Sequence, residues 1–313
     1  MTTLKPQRLR KGDVIGLAAP ASAVTDPSKI NRGVRYLERL GYRVTMGEHV
    51  GKVRGYLAGT DSERVADLHA LFADRRVKAI IAVRGGYGTP RLLSMLDYRL
   101  ISRNPKILVG FSDITALQLA LWKQCRLLTF HGPMAGVEMA GTIDPFTEEQ
   151  FWRTVTSTKP MGRIRFPVRD SLHVLQTGTA TGRLMGGNLS LVVSLLGTHY
   201  FPVISRAVLF LEETGEEPYR VDRMMTQLRN AGVMAGVGAV LTGAFSDCKP
   251  GDKSKPSLSV EDVLTDAARL ARKPFVSGMP FGHVRKKITL PVGLRVKVNA
   301  ERPSLEFLEA AVS

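Results

Sequence analysis

The residues best suited to chemistry lie in the stretch Lys106 to Lys123, "KILVGFSDITALQLALWK". Ile107 to Val109 form a short apolar run that predicts a buried strand, and Gly110 to Ser112 form a turn. From Asp113 the apolar residues recur at helical spacing through Ile114, Leu117, Leu119 and Trp122. A serine pinned between a strand end and a helix start has its hydroxyl held by the backbone. It lies beside unpaired helix N–H groups, which suits an attacking nucleophile and a developing oxyanion. The same residue types are ordinary at helix starts, so Ser112 or Asp113 could equally cap the helix. The hydrolase elbow G-x-S-x-G is met at Gly110 but not at Ile114.

A serine nucleophile needs a base and an acid to orient it. Glu212 ends the apolar run "AVLFLE", where a carboxylate is less expected than in a helix, whereas Glu216 and Glu217 look like solvated loop charges. His283 lies in the loop "GMPFGH", whose glycines leave little reason for a core packing role. The chain order is then serine, acid, histidine, and three such strand ends and loops can converge across a cleft. His131, after "LLTF", is an alternative base or a loop hydrogen-bonder, and His69 reads as an ordinary helical residue. In "RGGYGT", Gly85, Gly86 and Gly88 permit a tight backbone path with exposed N–H groups, as an anion or oxyanion site requires, or form merely a turn. The loop lacks the lysine and serine of a P-loop and the spacing of a dinucleotide fingerprint.

The elements that must position these residues alternate. Val14 to Ala18, "YRVTM", Val77 to Val83, "KILV" and "LLTFH" predict strands. Between them lie helices over Pro27 to Leu40, after Thr60 with its capping-box partner Glu63, and after Ser112. This alternation marks a parallel sheet covered on both faces. A helix from Thr147 to Thr156 and the segment "TKPMGRIRFP" mark a boundary. Beyond it come a helix starting near Asn188, one from Pro218 and one capped by Ser259, together with strands and an apparent hairpin in "KKITLPVGLRVKV". The expected fold is α/β: an N-terminal doubly wound, mostly parallel domain over 1–158, a linker over 159–168, and a smaller mixed α/β domain over 169–313.

A chain of 313 residues, 44% hydrophobic, is long enough for one large or two medium domains. No stretch reaches about 18 uninterrupted apolar residues, and "MTTLKPQRLRKGD" lacks the apolar core of a secretion signal, so the expectation is a soluble cytoplasmic protein with no membrane partner. Two cysteines, Cys125 and Cys248, supply neither a disulfide framework nor a thiolate metal site. The net charge of +16 raises nucleic-acid binding, but the basic residues are scattered and no recognition motif accompanies them. Nucleic acid is therefore not an expected partner.

Five blocks add specificity: "YLAGTDSERVADLHALFADRRVKAIIAVRGGYGTPRLL", "GFSDITAL" with the following "FHGP", "GRLMGGNLSLV", "LFLEETGEEPYRVDRM" and the late "FGH". In this order they resemble the LD-carboxypeptidase family of serine peptidases, which also includes the microcin C immunity proteins. The resemblance covers nearly the whole chain. It implies a two-domain enzyme with Ser112 as nucleophile, His283 as base, Glu212 as its orienting acid, and the N–H groups of Gly86 and Asp113 as oxyanion hole. It implies hydrolysis of the bond before a terminal D-alanine in murein tetrapeptides during cell-wall recycling. The immunity branch instead cleaves peptidyl or aminoacyl sulfamoyl adenylates, and a non-catalytic peptide-binding protein is a further alternative. A carboxypeptidase must also hold its substrate's terminal carboxylate, for which Arg84 is a candidate or else a structural anchor. Asn188 could likewise bind peptide groups or cap its helix. No metal or other cofactor is called for, the partner is a murein tetrapeptide or related small peptide, and the family likeness implies a homodimer.

Overall fold

The computed structural model describes residues 2–166, 172–252 and 254–313. Residues 167 and 168 of the expected linker, and 169–171 of the expected second domain, lie outside the described residues. The chain divides into two compact units. One comprises Met1–Lys159, Ile288–Gly293 and Ala310–Ser313, and the other Pro160–Lys287 and Leu294–Glu309.

The first unit alternates β1 (Val14–Ala18), α1 (Pro27–Arg39), β2 (Arg43–Met46), α2 (Asp61–Ala73), β3 (Val77–Ala82), α3 (Tyr98–Arg103), β4 (Ile107–Gly110), α4 (Ile114–Cys125), β5 (Thr129–His131) and α5 (Pro145–Thr156). Its sheet runs Leu290–Val292, β5, β4, β3, β1, β2, with the five numbered strands parallel. Strands β1, β3 and β4 are nearly continuous apolar runs and are buried almost throughout, as strands covered on both faces must be. The order 2-1-3-4-5 reverses direction between β1 and β3. In such sheets ligands gather beyond the carboxyl ends of the strands at this switch point. Capping follows the residue types: Asp26 and Asp144 cap α1 and α5, each with proline in the first turn, and Thr60 and Glu63 close a capping box on α2. His69 lies in α2, where its Nε2 accepts the Asp97 N–H at 2.9 Å.

The smaller second unit contains β6 (Gly162–Arg163), β7 (His173–Gln176), β8 (Thr179–Asn188), α6 (Leu189–Ser194), β9 (Val208–Thr214), α7 (Pro218–Asn230), α8 (Val233–Gly236), β10 (Ala239–Ser246), α9 (Val260–Ala271) and β11 (Phe275–Ser277). After β12 (Leu290–Val292) come β13 (Arg295–Asn299) and β14 (Ser304–Phe307). The sheet order is β6-β14-β13-β8-β9-β10-β11-β7. Parallel strands β8 to β11 form its middle, and antiparallel strands flank them on both sides. The mixed α/β architecture expected for the second domain is thus present.

The apparent hairpin in "KKITLPVGLRVKV" is not one. β12 pairs antiparallel with β5 in the first sheet, whereas β13 pairs with β8 and β14 in the second. Pro291 explains the placement of β12, because a residue without an N–H is tolerated at a sheet edge and not in a sheet centre. Gly293, at φ +95°, carries the turn between the two strands.

Parallel β8 and β9 approach closely at Gly186, where a Cβ would overlap the Phe210 carbonyl oxygen and φ is +140°. Gly186→Ala should destabilise the second unit by at least about 3 kcal/mol in urea unfolding. Gly236→Ala, in α8 with open space around it, should be neutral or slightly stabilising. Equal effects at the two positions would refute the close-packing account.

Candidate active site

In the first unit, the carboxyl ends of β1, β3 and β4 carry the candidate residues. Ser112 lies between β4 and α4 at φ 62°, a left-handed conformation that a side chain rarely adopts, one residue before the Asp113 N-cap. Its carbonyl accepts the Thr115 N–H at 3.0 Å, while its hydroxyl makes no hydrogen bond among the described residues. Asp113, at the N-cap position, also makes no capping bond. Neither residue serves as the side-chain cap that their types allow. A Cβ on Gly110 would lie 2.8 Å from the Ile114 side chain, which would have to shift to admit it.

The loop after β3 lies against this turn. A Cβ on Gly85 would stand 2.9 Å from Ser112 Cβ and 3.1 Å from its Oγ. Gly86 has φ +111°, and neither its N–H nor that of Asp113 donates to a protein acceptor among the described residues. Ser22, in the loop after β1, completes the arrangement: its N–H donates to the Gly85 carbonyl at 3.3 Å and its Oγ accepts the Tyr87 N–H at 3.0 Å. A half-exposed hydroxyl thus sits beside backbone donors that carry no other load. The Asp113 carboxylate turns back toward the glycine loop, accepting the Gly88 and Thr89 N–H groups at 3.2 and 2.8 Å. Burial raises its pKa above the ordinary carboxylate range, against the lowering effect of these bonds.

In the second unit, Glu212 lies within β9, which runs two residues further to Thr214. Glu212 is fully buried, and its Oε2 pairs with His283 Nδ1 at 2.6 Å. Its Oε1 has no hydrogen-bond partner among the described residues. The histidine loop is clamped against β10: the Phe281 carbonyl accepts the Ala244 N–H, and Ser246 Oγ donates to the His283 carbonyl at 2.9 Å. Gly282 has φ +93°, and a Cβ there would lie 2.7 Å from both Glu212 Cβ and Oε2. A glycine before the histidine is therefore a steric condition for the pair. Such a dyad fixes the tautomer of a general base.

Comparison with known proteins places the chain in a family. Residues 15–132 match the model of the LD-carboxypeptidase N-terminal domain, and residues 181–298 that of its C-terminal domain. The chain belongs to the LD-carboxypeptidase family. It is a hydrolase of the serine type. A probable murein peptide carboxypeptidase of Bacillus subtilis (strain 168) is 39% identical over 99% of this chain and 95% of the relative. Structures of the microcin C7 self-immunity protein MccF with glutamyl sulfamoyl guanosine and with aspartyl sulfamoyl adenosine superpose with TM-scores of 0.91 and 0.90 at 25% and 26% identity. Each covers 99% of this chain and 100% of the other. A muramoyltetrapeptide carboxypeptidase of Oxalobacter formigenes superposes with a TM-score of 0.82 at 31% identity, covering 94% and 97%.

The remaining candidates of this LD-carboxypeptidase-family chain have structural engagements. Arg84 Nη1 donates to the Ala23 carbonyl at 3.1 Å, tying the loop after β3 to the loop after β1. Asn188 caps α6, its Oδ1 accepting the Leu191 N–H at 3.3 Å, while its Nδ2 donates to Glu213 at 2.8 Å. His131 is buried in β5 against Phe111, with ring centroids 5.6 Å apart. Sequence reasoning missed Ser22 and Glu213. Ser22 is marked only by following β1 at the switch point. Glu213 holds the start of α6, accepting from Asn188, from the Ser190 N–H and hydroxyl, and from the Thr214 N–H. Successive strand residues face opposite ways, so the neighbouring glutamates of "LEET" divide their work.

Gly282→Ala should push Glu212 and His283 apart and lower kcat/KM by about 10- to 100-fold, since a displacement near 1 Å in a catalytic group has that effect. Circular dichroism should still report a folded chain. Wild-type kinetics in this variant would show that the glycine is not needed for the pair.

Proposed function

We propose that the protein cleaves a bond between an acyl carbonyl and nitrogen by a Ser112–His283–Glu212 mechanism. The Glu212–His283 contact of 2.6 Å carries this reading, because a carboxylate on Nδ1 orients the ring and fixes the tautomer that a general base needs. His283 takes the Ser112 proton as Oγ attacks the carbonyl, and Glu212 offsets the imidazolium charge. The oxyanion is received by the N–H groups of Gly86 and Asp113, each donor supplying about 3 kcal/mol of transition-state stabilisation. Where the departing nitrogen needs a proton, as a peptide amine does, His283 supplies it, and water releases the acyl group by the reverse path. The reading requires His283 Nε2 to come within hydrogen-bond reach of Ser112 Oγ.

The likeness over the full chain to MccF bound to aminoacyl sulfamoyl nucleosides favours compounds of that class as substrate. The second reading, release of D-alanine from a murein tetrapeptide, is favoured by the 39% identity to the Bacillus subtilis relative. Both substrates are anionic, which suits a chain of net charge +16. They differ in the leaving group. An acyl sulfamoyl nitrogen departs as a stabilised anion, whereas a peptide amine must be protonated as it leaves.

Mass spectrometry of the products from aspartyl sulfamoyl adenosine and from a murein tetrapeptide ending in D-alanine tests the reading. Wild type should release aspartate or D-alanine, and Ser112→Ala should lose at least about 10³-fold in kcat. Turnover of the nucleoside alone supports the first substrate, turnover of the peptide alone the second. Undiminished turnover by Ser112→Ala would refute the nucleophile. If both substrates react, His283→Ala should lose more activity on the peptide than on the sulfamoyl compound, because only the peptide depends on the general acid.

A further inference from the structure

The glycine loop after β3 is gripped from two sides by buried charges. Arg64, on α2, is 1% exposed, and its Nη1 donates both to the Pro20 carbonyl at 2.5 Å and to the Gly88 carbonyl at 3.1 Å. Its Nη2 pairs with Asp61, whose carboxylate also takes Arg91 at 2.7 Å. A Cβ on Gly88 would lie 2.6 Å from Arg64 Nη1, and φ at Gly88 is +136°, so glycine is what admits the guanidinium. From the other side the fully buried Asp113 accepts the Gly88 and Thr89 N–H groups, and the Thr89 hydroxyl returns a bond to the Asp113 carbonyl at 2.5 Å. Gly88 therefore has its carbonyl held by a cation from the β1 side and its N–H held by an anion from the β4 side. Gly86 is two residues upstream on the same loop.

Stability alone is a poor account of this arrangement. Buried charges are expensive to desolvate, and well-packed apolar residues often serve as well or better. Arg64 Nε is left without a partner among the described residues, an added cost. What charged groups add here is direction: three loops from three strands are locked to one another through fixed donor and acceptor positions.

We propose that Arg64 and the side chain of Asp113 are positioning residues, holding the Gly85–Gly88 loop so that the Gly86 N–H points to where the oxyanion develops. The proposal rests on Ser112 as nucleophile and Gly86 as oxyanion donor. Neither the Arg64 side chain nor the Asp113 carboxylate touches the reacting atoms in it. Both act through the backbone of Gly88 and Thr89.

The test is the rate at which a fluorophosphonate labels Ser112, followed by intact mass and peptide mapping, since the tetrahedral phosphonyl oxygen needs the same donors as the oxyanion and no substrate has to be assumed. Arg64→Ala and Asp113→Asn should slow labelling by about 10- to 100-fold, somewhat less than removing an oxyanion donor outright. Arg64→Lys keeps the charge but cannot span all three acceptors, and it should fall between wild type and Arg64→Ala. The control is Asp67→Asn, another buried carboxylate of the first unit, which accepts the His49 N–H at 3.1 Å. It should lower the melting temperature and leave the labelling rate of the folded protein unchanged. Wild-type labelling in folded Asp113→Asn and Arg64→Lys overturns the proposal, whether or not Arg64→Ala folds. So does a loss in Asp67→Asn as large as theirs, because that is what general destabilisation predicts. Wild type labelled at a residue other than Ser112 overturns the nucleophile assignment instead, and the positioning role with it.

Discussion

Parallel pairing of β1 with β3 and of β3 with β4 is the constraint on which the first unit depends. Parallel strands all finish at one edge, so the loops carrying Ser22, Gly85 to Gly88 and Ser112 emerge side by side. The reversal of strand order between β1 and β3 keeps a helix from closing over that edge. Loops in such a place have backbone groups with no ladder to join, and the chain uses them in two ways. Some are tied to one another, as between Ser22 and Gly85, and others, at Gly86 and Asp113, have no protein acceptor among the described residues.

The second unit meets a different requirement, which is to bury a carboxylate and still leave it useful. β9 lies between β8 and β10 at the centre of its sheet, so Glu212 has no route to water. An unpaired buried oxygen such as its Oε1 costs about 1–3 kcal/mol or more. The other oxygen of the same carboxylate is paired with His283 Nδ1 at 2.6 Å. Close backbone approaches at Gly186, Gly243 and Gly282 bring β8, β10 and the histidine loop near enough to sustain that pair.

Much of this was legible in the sequence. Apolar runs gave β1, β3, β4 and β9, and caps at Thr60 and Ser259 and a first-turn proline at Pro218 placed their helices, because burial and local backbone constraints leave marks within a few residues. Ser112, Glu212 and His283 as candidates came from chain order and family resemblance together, and of these Glu212 and His283 lie 2.6 Å apart. Long-range choices were not legible. Alternation in "LPVGLRVKV" looks the same whether two strands pair with each other or join separate sheets. Nothing in the sequence sets Arg64 apart from the other basic residues, and its contacts with Pro20 and Gly88 join positions 44 and 24 residues away. The substrate is a finer question than either, since family resemblance points first to murein peptides while solved structures similar to this chain include MccF with sulfamoyl nucleosides.

The adjacent glutamates of β9 have a consequence for how this family can vary. Glu212 serves the histidine and Glu213 serves the start of α6, from opposite faces of one strand. A single inserted or deleted residue upstream in β9 would exchange the two faces and disable both tasks together. The strand can accept changes of side chain, but its length is fixed between Val208 and Glu213. Insertions that diversify such a hydrolase are confined to its loops, where a longer connection costs little. Chemistry and architecture are inherited here as one unit.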